Sequence, residues 1–457
     1  MPDLYGPVLA NALFPAFEAL RGRPTVPLLR YLLGTERWSL HELRDLQLGF
    51  ARRLVRHAYL HTPHYRAVMD QRGIDPRLGS LDDLAAFPLL DRPTVIATMD
   101  ARIADAPPFV AITKGTSGTS GTPVKVKYNV ESRHWRDATR WRGYGWGGYR
   151  IGMRAMHFWG FPPAIYTRAE RAKIAIDRAF KRDMYVDCTF RSDEALLAAV
   201  KKIESFRPDV IVAYAAGGAA LARFIVDRKL RTWKRPIPIV LGAERVWPRD
   251  REFMEQAFGP VFESYGCREV MLLASECEAH AGMHESMENL YIELIVRTPD
   301  GGVRAAKPGE TGEVVVTDLH NLACPMIRYV NGDVAVAREP DPCPCGRGLA
   351  RLGPIEGRVT ETLRDGNGNA VGGLVFNILI GTMEHVVRQF QVVQRVDRSI
   401  LMRIIPLVGS TIPEQAIAGI KEFGAKYLPG APLTIEYVDA IPLTRAGKRT
   451  VVIVETE

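Results

Sequence analysis

Val210-Ile211-Val212-Ala213-Tyr214 is a continuous apolar run, and a helical pattern through Leu221 and Phe224 follows it directly. A short run with no polar face predicts a strand buried on both sides. The unit then recurs. Ile239-Val240-Leu241 predicts a second strand, Pro248 opens the next helix where its missing N–H costs nothing, and Val261-Phe262-Glu263-Ser264 predicts a third strand. Short apolar strands alternating with amphipathic helices over residues 194–330 predict a layered α/β domain. Ligands of such sheets sit beyond the carboxyl ends of the strands. Here those ends are Tyr214-Ala215-Ala216, Gly242-Ala243-Glu244 and Tyr265-Gly266-Cys267-Arg268-Glu269.

Upstream, residues 41–72 read as one helical stretch ending before Asp75-Pro76. Leu43, Leu46, Phe50 and Leu54 form its dry face and Arg52, Arg53 and Arg56 its wet one. Downstream, the texture changes after Gly357-Arg358. Asp365-Gly366-Asn367-Gly368-Asn369 predicts a hairpin turn, Phe390-Gln391-Val392-Val393-Gln394 an alternating strand, and residues 414–427 a helix. The expected organisation is a large layered domain over residues 1–357, with mixed sheets and helices, and a small α+β domain over 358–457, joined by a hinge.

Bulk properties bound the function. The chain has 457 residues, with 47% hydrophobic and 25% charged, ordinary values for a globular protein. No stretch approaches the roughly 18 apolar residues of a membrane span, and Met1-Pro2-Asp3-Leu4 does not open a signal peptide. A cytoplasmic protein without a membrane partner is expected. The net charge of +8 is scattered rather than striped, so it fits polyanionic small molecules better than nucleic acid. The six cysteines are too sparse for a disulfide framework.

Lys114-Gly115-Thr116-Ser117-Gly118-Thr119-Ser120-Gly121-Thr122-Pro123-Val124-Lys125 gathers glycines and hydroxyls. Glycines let backbone N–H groups crowd round an anion, and hydroxyls add donors for phosphate oxygens. It has no Gly-Lys-Ser/Thr ending and no Gly-x-Ser-x-Gly elbow. A flexible linker is the bland alternative. The strand-like flanks, Phe109-Val110-Ala111-Ile112 and Val124-Lys125-Val126, favour a hairpin tip within the fold.

This loop resembles the phosphate-binding motif of the adenylate-forming superfamily, which includes acyl-CoA synthetases, adenylation domains of peptide synthetases and luciferases. Further resemblances follow in order: Gly242-Ala243-Glu244 to the adenine-contacting segment, Tyr265-Gly266-Cys267-Arg268-Glu269 to Tyr-Gly-x-Thr-Glu, and Tyr329-Val330-Asn331-Gly332-Asp333 to Tyr-x-Thr-Gly-Asp. Gly357-Arg358 is similar to the interdomain Gly-Arg, and Pro442-Leu443-Thr444-Arg445-Ala446-Gly447-Lys448 to the C-terminal lysine motif. Within the superfamily the chain resembles the phenylacetate–CoA ligase branch, including relatives from capsular-polysaccharide clusters. The residues carrying this are Tyr59 to Arg66, Glu276-Cys277, Met283-His284 and Cys343-Pro344-Cys345-Gly346-Arg347.

The resemblance implies ATP-dependent conversion of a carboxylic acid, aryl or arylacetic, to an acyl-adenylate, then transfer to CoA. An amine, amino acid or sugar acceptor is the alternative. It implies catalytic roles for Lys448, Glu269 and Thr119, a magnesium ion on Glu269, and ribose contact by Asp333. ATP would also meet Thr116, Ser117, Gly118, Ser120, Gly121, Gly242, Ala243, Glu244, Tyr265, Gly266, Arg268 and Arg358. The acyl group would lie by Tyr214, Ala215, Ala216, Trp159 and Cys267. His157-Phe158-Trp159-Gly160-Phe161 offers an aromatic wall, and small residues at 215–218 would leave room for a ring. The small domain would turn about Arg358–Thr360. Three positions depart from the pattern: Thr122 where lysine is common, Arg268 for Thr or Ser, and Thr360 for a hinge aspartate. A homodimer is a further expectation.

Cys277, His284, Cys343 and Cys345 make a Cys₃His set that a structural zinc ion accepts. A reduced thiol pair is the other reading, and His280 the substitute ligand. Zinc-containing members of the resembling branch favour the metal. From a different class of function, a non-catalytic basic protein would carry none of this chemistry.

Overall fold

A computed structural model describes residues 3–106, 112–115, 125–160, 167–189, 191–298, 300–358, 362–367, 370–372, 386–407, 411–442 and 450–455. The chain divides into two compact units. One comprises Met1–Asn331 and Ala335–Ile355, the other Gly332–Val334 and Glu356–Glu457.

The first unit begins with helices, among them Thr25–Thr35, Leu40–His61 and Pro63–Arg72. The expected single helix over 41–72 is two. Thr62 is extended (φ −129°, ψ 123°), because the ring of Pro63 disfavours helical geometry in the residue before it. The Thr62 hydroxyl accepts from the Tyr65 N–H, so the break doubles as a helix cap. Leu43 and Leu54 are fully buried on the dry face, and Gln47 joins them by donating to the Leu290 carbonyl at 2.7 Å.

A hairpin of β1 (Ile112–Gly115) and β2 (Lys125–Tyr128) pairs Ile112 with Tyr128 and Gly115 with Lys125. The glycine-hydroxyl loop joins these strands, as the flanks predict, but residues 116–124 lie outside the described residues. The main sheet is built from β3 (Ala155–Trp159), β4 (Asp183–Asp187), β5 (Val210–Tyr214), β6 (Ile239–Gly242), β7 (Val261–Cys267), β8 (Met271–Glu276) and β9 (Met283–Glu285). After β10 (Leu290–Arg297), β11 (Val303–Ala305), β12 (Thr311–Asp318) and β13 (Tyr329–Val336), strand β14 (Arg351–Leu352) completes it. The order is β14-β9-β8-β7-β6-β5-β3-β4. Strands β4, β3, β5, β6 and β7 are parallel, and β7, β8, β9 and β14 antiparallel.

The alternation of strand side chains gives this sheet two distinct faces. Met156, Phe158, Ile211, Ala213, Ile239, Leu241 and Val261 pack under the helices Asp193–Phe206, Ala215–Asp227 and Pro248–Ala257. On the other face Ala155, Val210, Val212 and Val240 pack with Tyr149, Trp141 and Tyr144, from the helix Val130–Trp146 and the turn after it. The strand–helix rhythm expected over 194–330 holds only as far as β7. Residues from β8 to β12 are antiparallel strands without an intervening helix, with β10 paired to both β11 and β12.

Past β15 (Ile355–Arg358), the second unit holds the expected hairpin, β16 (Thr362–Arg364) and β17 (Ala370–Gly372), paired Arg364 to Ala370. Its sheet has the order β20-β19-β18-β21, from β18 (Val387–Gln394), β19 (Ile400–Pro406), β20 (Leu433–Tyr437) and β21 (Val452–Val454). Ile420 of the helix Glu414–Tyr427 is buried, as are Val392, Met402 and Ile404 of the strands. Among the described residues no helix is long and apolar enough to cross a membrane.

Candidate functional site

Strands β5, β6 and β7 end side by side. Tyr214 closes β5, and its successor Ala215 begins a helix whose second amide, at Ala216, donates to Glu244 Oε2 at 2.9 Å. A carboxylate at a helix N-terminus is favoured by the dipole and satisfies an otherwise unpaired donor. Between Gly242 and Glu244 the backbone turns through Ala243, which adopts the left-handed conformation (φ 72°) that side chains other than glycine rarely take. Such strain concentrates where geometry is functional. A Cβ at Gly242 would stand 3.2 Å from Ser264 Oγ, which itself donates to the Leu241 carbonyl at 2.7 Å. Trp159 lies over this glycine, 3.6 Å from the same Cβ position, and its ring is 4.1 Å from that of Tyr214. Burial first, then the Cys188 and Glu244 charges, push the Tyr214 hydroxyl up to about 12.

The small residues after Tyr214 do not leave the expected room for a ring. A Cβ at Gly217 would meet Cys188 Cβ at 3.0 Å, and one at Gly218 would meet Met254 Sδ at 3.2 Å. Ala215 and Ala216 are buried as well. These residues are small because the helix sits tightly on the sheet core.

The β7–β8 hairpin turns through Arg268, Glu269 and Val270. A Cβ at Gly266 would approach the Met271 carbonyl oxygen to 2.4 Å, so only glycine fits there. Met271 pays for the tight return with φ 67°. Cys267, half-buried, pairs with Met271 across the turn. Glu269 is buried and accepts a hydrogen bond from the Tyr329 hydroxyl at 3.3 Å. Burial and the Glu269 charge hold that hydroxyl protonated far above the ordinary tyrosine range. Asn331 Nδ2 donates to the Tyr265 hydroxyl at 2.6 Å. Tyr329, Asn331 and Asp333 alternate along β13 and share its buried face. Among the described residues no lysine or arginine comes within 4.0 Å of Glu269. Thr116, Ser117, Gly118, Thr119, Ser120, Gly121, Thr360, Lys448 and the side chain of Arg358 lie outside the described residues.

Elsewhere in the first unit the ligand atoms of Cys277, His284, Cys343 and Cys345 all lie within 4.8 Å of one another. Cys277 Sγ is 3.8 Å from Cys343 Sγ, and His284 Nε2 is 3.2 Å from Cys345 Sγ. Sulfurs about 2.3 Å from a tetrahedral zinc ion stand about 3.8 Å apart. His284 Nδ1 donates to the Leu349 carbonyl at 3.2 Å, which fixes the tautomer and leaves Nε2 for a metal. Burial pushes the Cys277 thiol up to about 12 and the His284 imidazole down to about 4. At Cys345 burial opposes ionisation, but the donors of Arg347 outweigh it and hold the thiol below its ordinary range. The cluster is built on β9, the turn after β8, and a Pro-Cys-Pro-Cys-Gly loop in which Gly346 is left-handed (φ 75°). His280 stands apart and pairs with Glu276 at 3.3 Å.

Two contacts of this site escape sequence reading: the Tyr329–Glu269 hydrogen bond and the tilted ring contact of Trp159 with Tyr214. The period-two spacing of Tyr329, Asn331 and Asp333 is the signal that puts three polar residues on one face. Nothing in the sequence says that the hairpin tip meets that face.

The chain matches no family model. It is 27% identical to a phenylacetate–coenzyme A ligase of Thermus thermophilus over 369 residues, covering 78% of each chain. It is 29% identical to that of Aromatoleum evansii over 350 residues, covering 72% of this chain and 73% of the relative. The CapK protein of Staphylococcus aureus is 24% identical over 260 residues, covering 56% of this chain and 55% of CapK. Among solved structures, 2-hydroxyisobutyryl-CoA ligase in the postadenylation state, in complex with 2-HIB-AMP, superposes with a TM-score of 0.69 at 19% identity. The match covers 92% of this chain and 90% of that one. The chain shares the fold of that CoA ligase. By sequence it is similar to phenylacetate–CoA ligases and, at lower identity, to CapK.

Proposed function

We propose that the chain activates a carboxylic acid with ATP and passes the acyl group to CoA. In the first step a carboxylate oxygen attacks the α-phosphorus, the bond to the bridging oxygen breaks, and pyrophosphate leaves. In the second, the thiol sulfur attacks the adenylate carbonyl, its proton is lost and AMP leaves. Attack of one anion on another needs positive charge and aligned donors. The observation that carries this reading is Glu269: a buried carboxylate at the end of the parallel strands, held by Tyr329 and without a described cation within 4.0 Å. It suits magnesium, which binds one or two carboxylates and completes its shell with phosphate oxygens. When bound, the ion would neutralise charge on the transferring phosphoryl group.

The remaining roles belong to the same proposal. The loop Thr116–Gly121 would hold phosphate, Gly242–Glu244 and Tyr265 would bound the adenine, Asp333 would take the ribose hydroxyls, and Lys448 would serve adenylation. Solved relatives of the fold include a ligase in complex with 2-HIB-AMP and CoA, with a TM-score of 0.57 and 20% identity. Offering an acid with ATP to CoA and, separately, to amines tests the acceptor. A thioester is expected, and an amide formed without a thioester would assign the alternative, amide-forming reading.

Zinc at Cys277, His284, Cys343 and Cys345 is the metal the donor set fits: three thiol sulfurs and one imidazole nitrogen at tetrahedral spacing. All six cysteines are free, which accords with a reducing, cytoplasmic setting. Metal analysis of the purified protein is expected to find one zinc per chain, lost in Cys343→Ser.

A further inference from the structure

The helical stretch from Tyr5 to Leu20 has almost no polar side. Asn11 turns its amide back to donate to the Pro7 carbonyl at 2.9 Å, and Glu18 is buried and accepts from the Thr25 hydroxyl at 2.6 Å. Gly6, Leu9 and Phe14 are buried, but Leu13 and Leu20 are 40% and 89% exposed. A helix that is apolar on all sides is ordinarily covered on all sides. Phe17 lies between Leu13 and Leu20, four and three residues away, and its ring meets that of Phe180 at 4.8 Å. Phe180 belongs to the helix Arg168–Lys181, none of whose residues is buried. One turn before Phe180 stands Ile176, 71% exposed. The Tyr5 hydroxyl donates to the Phe180 carbonyl at 3.1 Å and Arg182 pairs with Asp3 at 2.6 Å, which fixes the two helices to each other. Leu13, Leu20 and Ile176 therefore form one apolar patch around the Phe17–Phe180 contact.

The rim of the patch is basic. The Arg21 guanidinium lies over Phe17, 4.0 Å from the ring centre, and Lys173 stands one turn before Ile176, with Arg171 exposed beside it. Residues 168–182 hold six basic and two acidic side chains, so a net +4 of the chain's +8 falls on this one helix and its cap. An apolar centre with a basic rim fits the interface of an anionic bilayer, where headgroups meet the cations and acyl chains meet the apolar side chains. A second copy of the chain fits less well, because a two-fold contact would set one segment of net +4 against another. We infer that this patch docks onto an anionic lipid surface, in place of the protein without a membrane partner expected from composition. Among the described residues no helix is long and apolar enough to cross the bilayer, so the contact is peripheral.

The test is sedimentation of the full chain with vesicles of phosphatidylcholine, alone or mixed with phosphatidylglycerol. Binding to the mixed vesicles is expected to be at least about tenfold tighter than to the neutral ones, and to weaken at about 1 M salt, where the Debye length is about 3 Å. Leu20→Ser with Ile176→Ser should weaken it about tenfold by taking apolar side chains out of the contact. Arg171→Glu with Lys173→Glu should weaken it about as much by reversing charge at the rim. All four side chains are exposed, so both double variants should melt with the wild type. Failure of the wild type to bind mixed vesicles, or binding unchanged in both double variants, overturns the inference. So does a dimer in sedimentation equilibrium that Leu20→Ser with Ile176→Ser dissociates, which would assign the patch to a second copy.

Discussion

Glu269 is a single carboxylate whose position is fixed by two neighbours in sequence and one residue far away. Gly266 permits the tight turn, Met271 absorbs the strain of the return, and Tyr329 holds the carboxylate from β13. Glu269→Gln is expected to lower acid-dependent pyrophosphate exchange roughly 10²–10³-fold, the usual cost of one electrostatic contact to a transition state, with little change in melting temperature. Tyr329→Phe removes one hydrogen bond worth about 1 kcal/mol, so a loss of about fivefold to tenfold is expected. His320 gives a separate test by pH. Its Nε2 donates to the Glu288 carbonyl at 2.8 Å, its ring stacks on Trp135 at 4.1 Å, and Arg53 points a donor at Nδ1. Burial pushes this imidazole down to about 4. Its native pKa therefore lies below the unfolded value of about 6.5. The unfolded chain binds the extra proton, and stability falls as pH drops from about 6.5 towards 4. Denaturant titrations across that range should show the fall, and His320→Gln should flatten it. At this scale the sequence makes Glu269 visible through its motif and leaves Tyr329 and His320 invisible, because their roles rest on contacts between distant segments.

At the scale of elements, the helix Val130–Trp146 is held by buried ion pairs. Arg142 reaches both oxygens of Glu288 at 2.6 and 2.7 Å, Thr35 donates to the same carboxylate at 2.5 Å, and Arg136 meets Asp318 at 2.6 Å. Removing one partner of a buried pair strands the other charge. Arg142→Met should therefore cost about 3–5 kcal/mol by chemical denaturation, with most of it recovered when Glu288→Met is added. The four-residue Cys–His cluster ties β9 to the loop before β14. Cys343→Ser is expected to lower the melting temperature, and a strong chelator to do the same to the wild type but not to the variant. The parallel strands β5, β6 and β7 and their helices are legible because each buried run stands alone between turn signals. The antiparallel strands from β8 onward are harder to read. In β8, for example, apolar and polar residues are buried together, so period two never separates a wet face from a dry one. The break at Thr62 was there to be read in Pro63.

For the molecule as a whole, the first unit carries the parallel strand ends, Glu244, Glu269 and the Cys–His cluster, and the second unit carries its own four-stranded sheet. The motif order from Lys114 to Lys448 made the fold class legible well before any contact was known, and the TM-score of 0.69 over 92% of the chain agrees with it. The acid was not legible. Specificity depends on side chains brought together from separate segments, and no motif marks them. The central claim is that this chain forms acyl-adenylates. It is tested most directly by acid-dependent exchange of labelled pyrophosphate into ATP over a broad panel of carboxylic acids, with Glu269→Gln as the control. Exchange is expected to require both magnesium and an acid and to collapse in the variant. Absence of exchange with every acid, or exchange unchanged by Glu269→Gln, would contradict it.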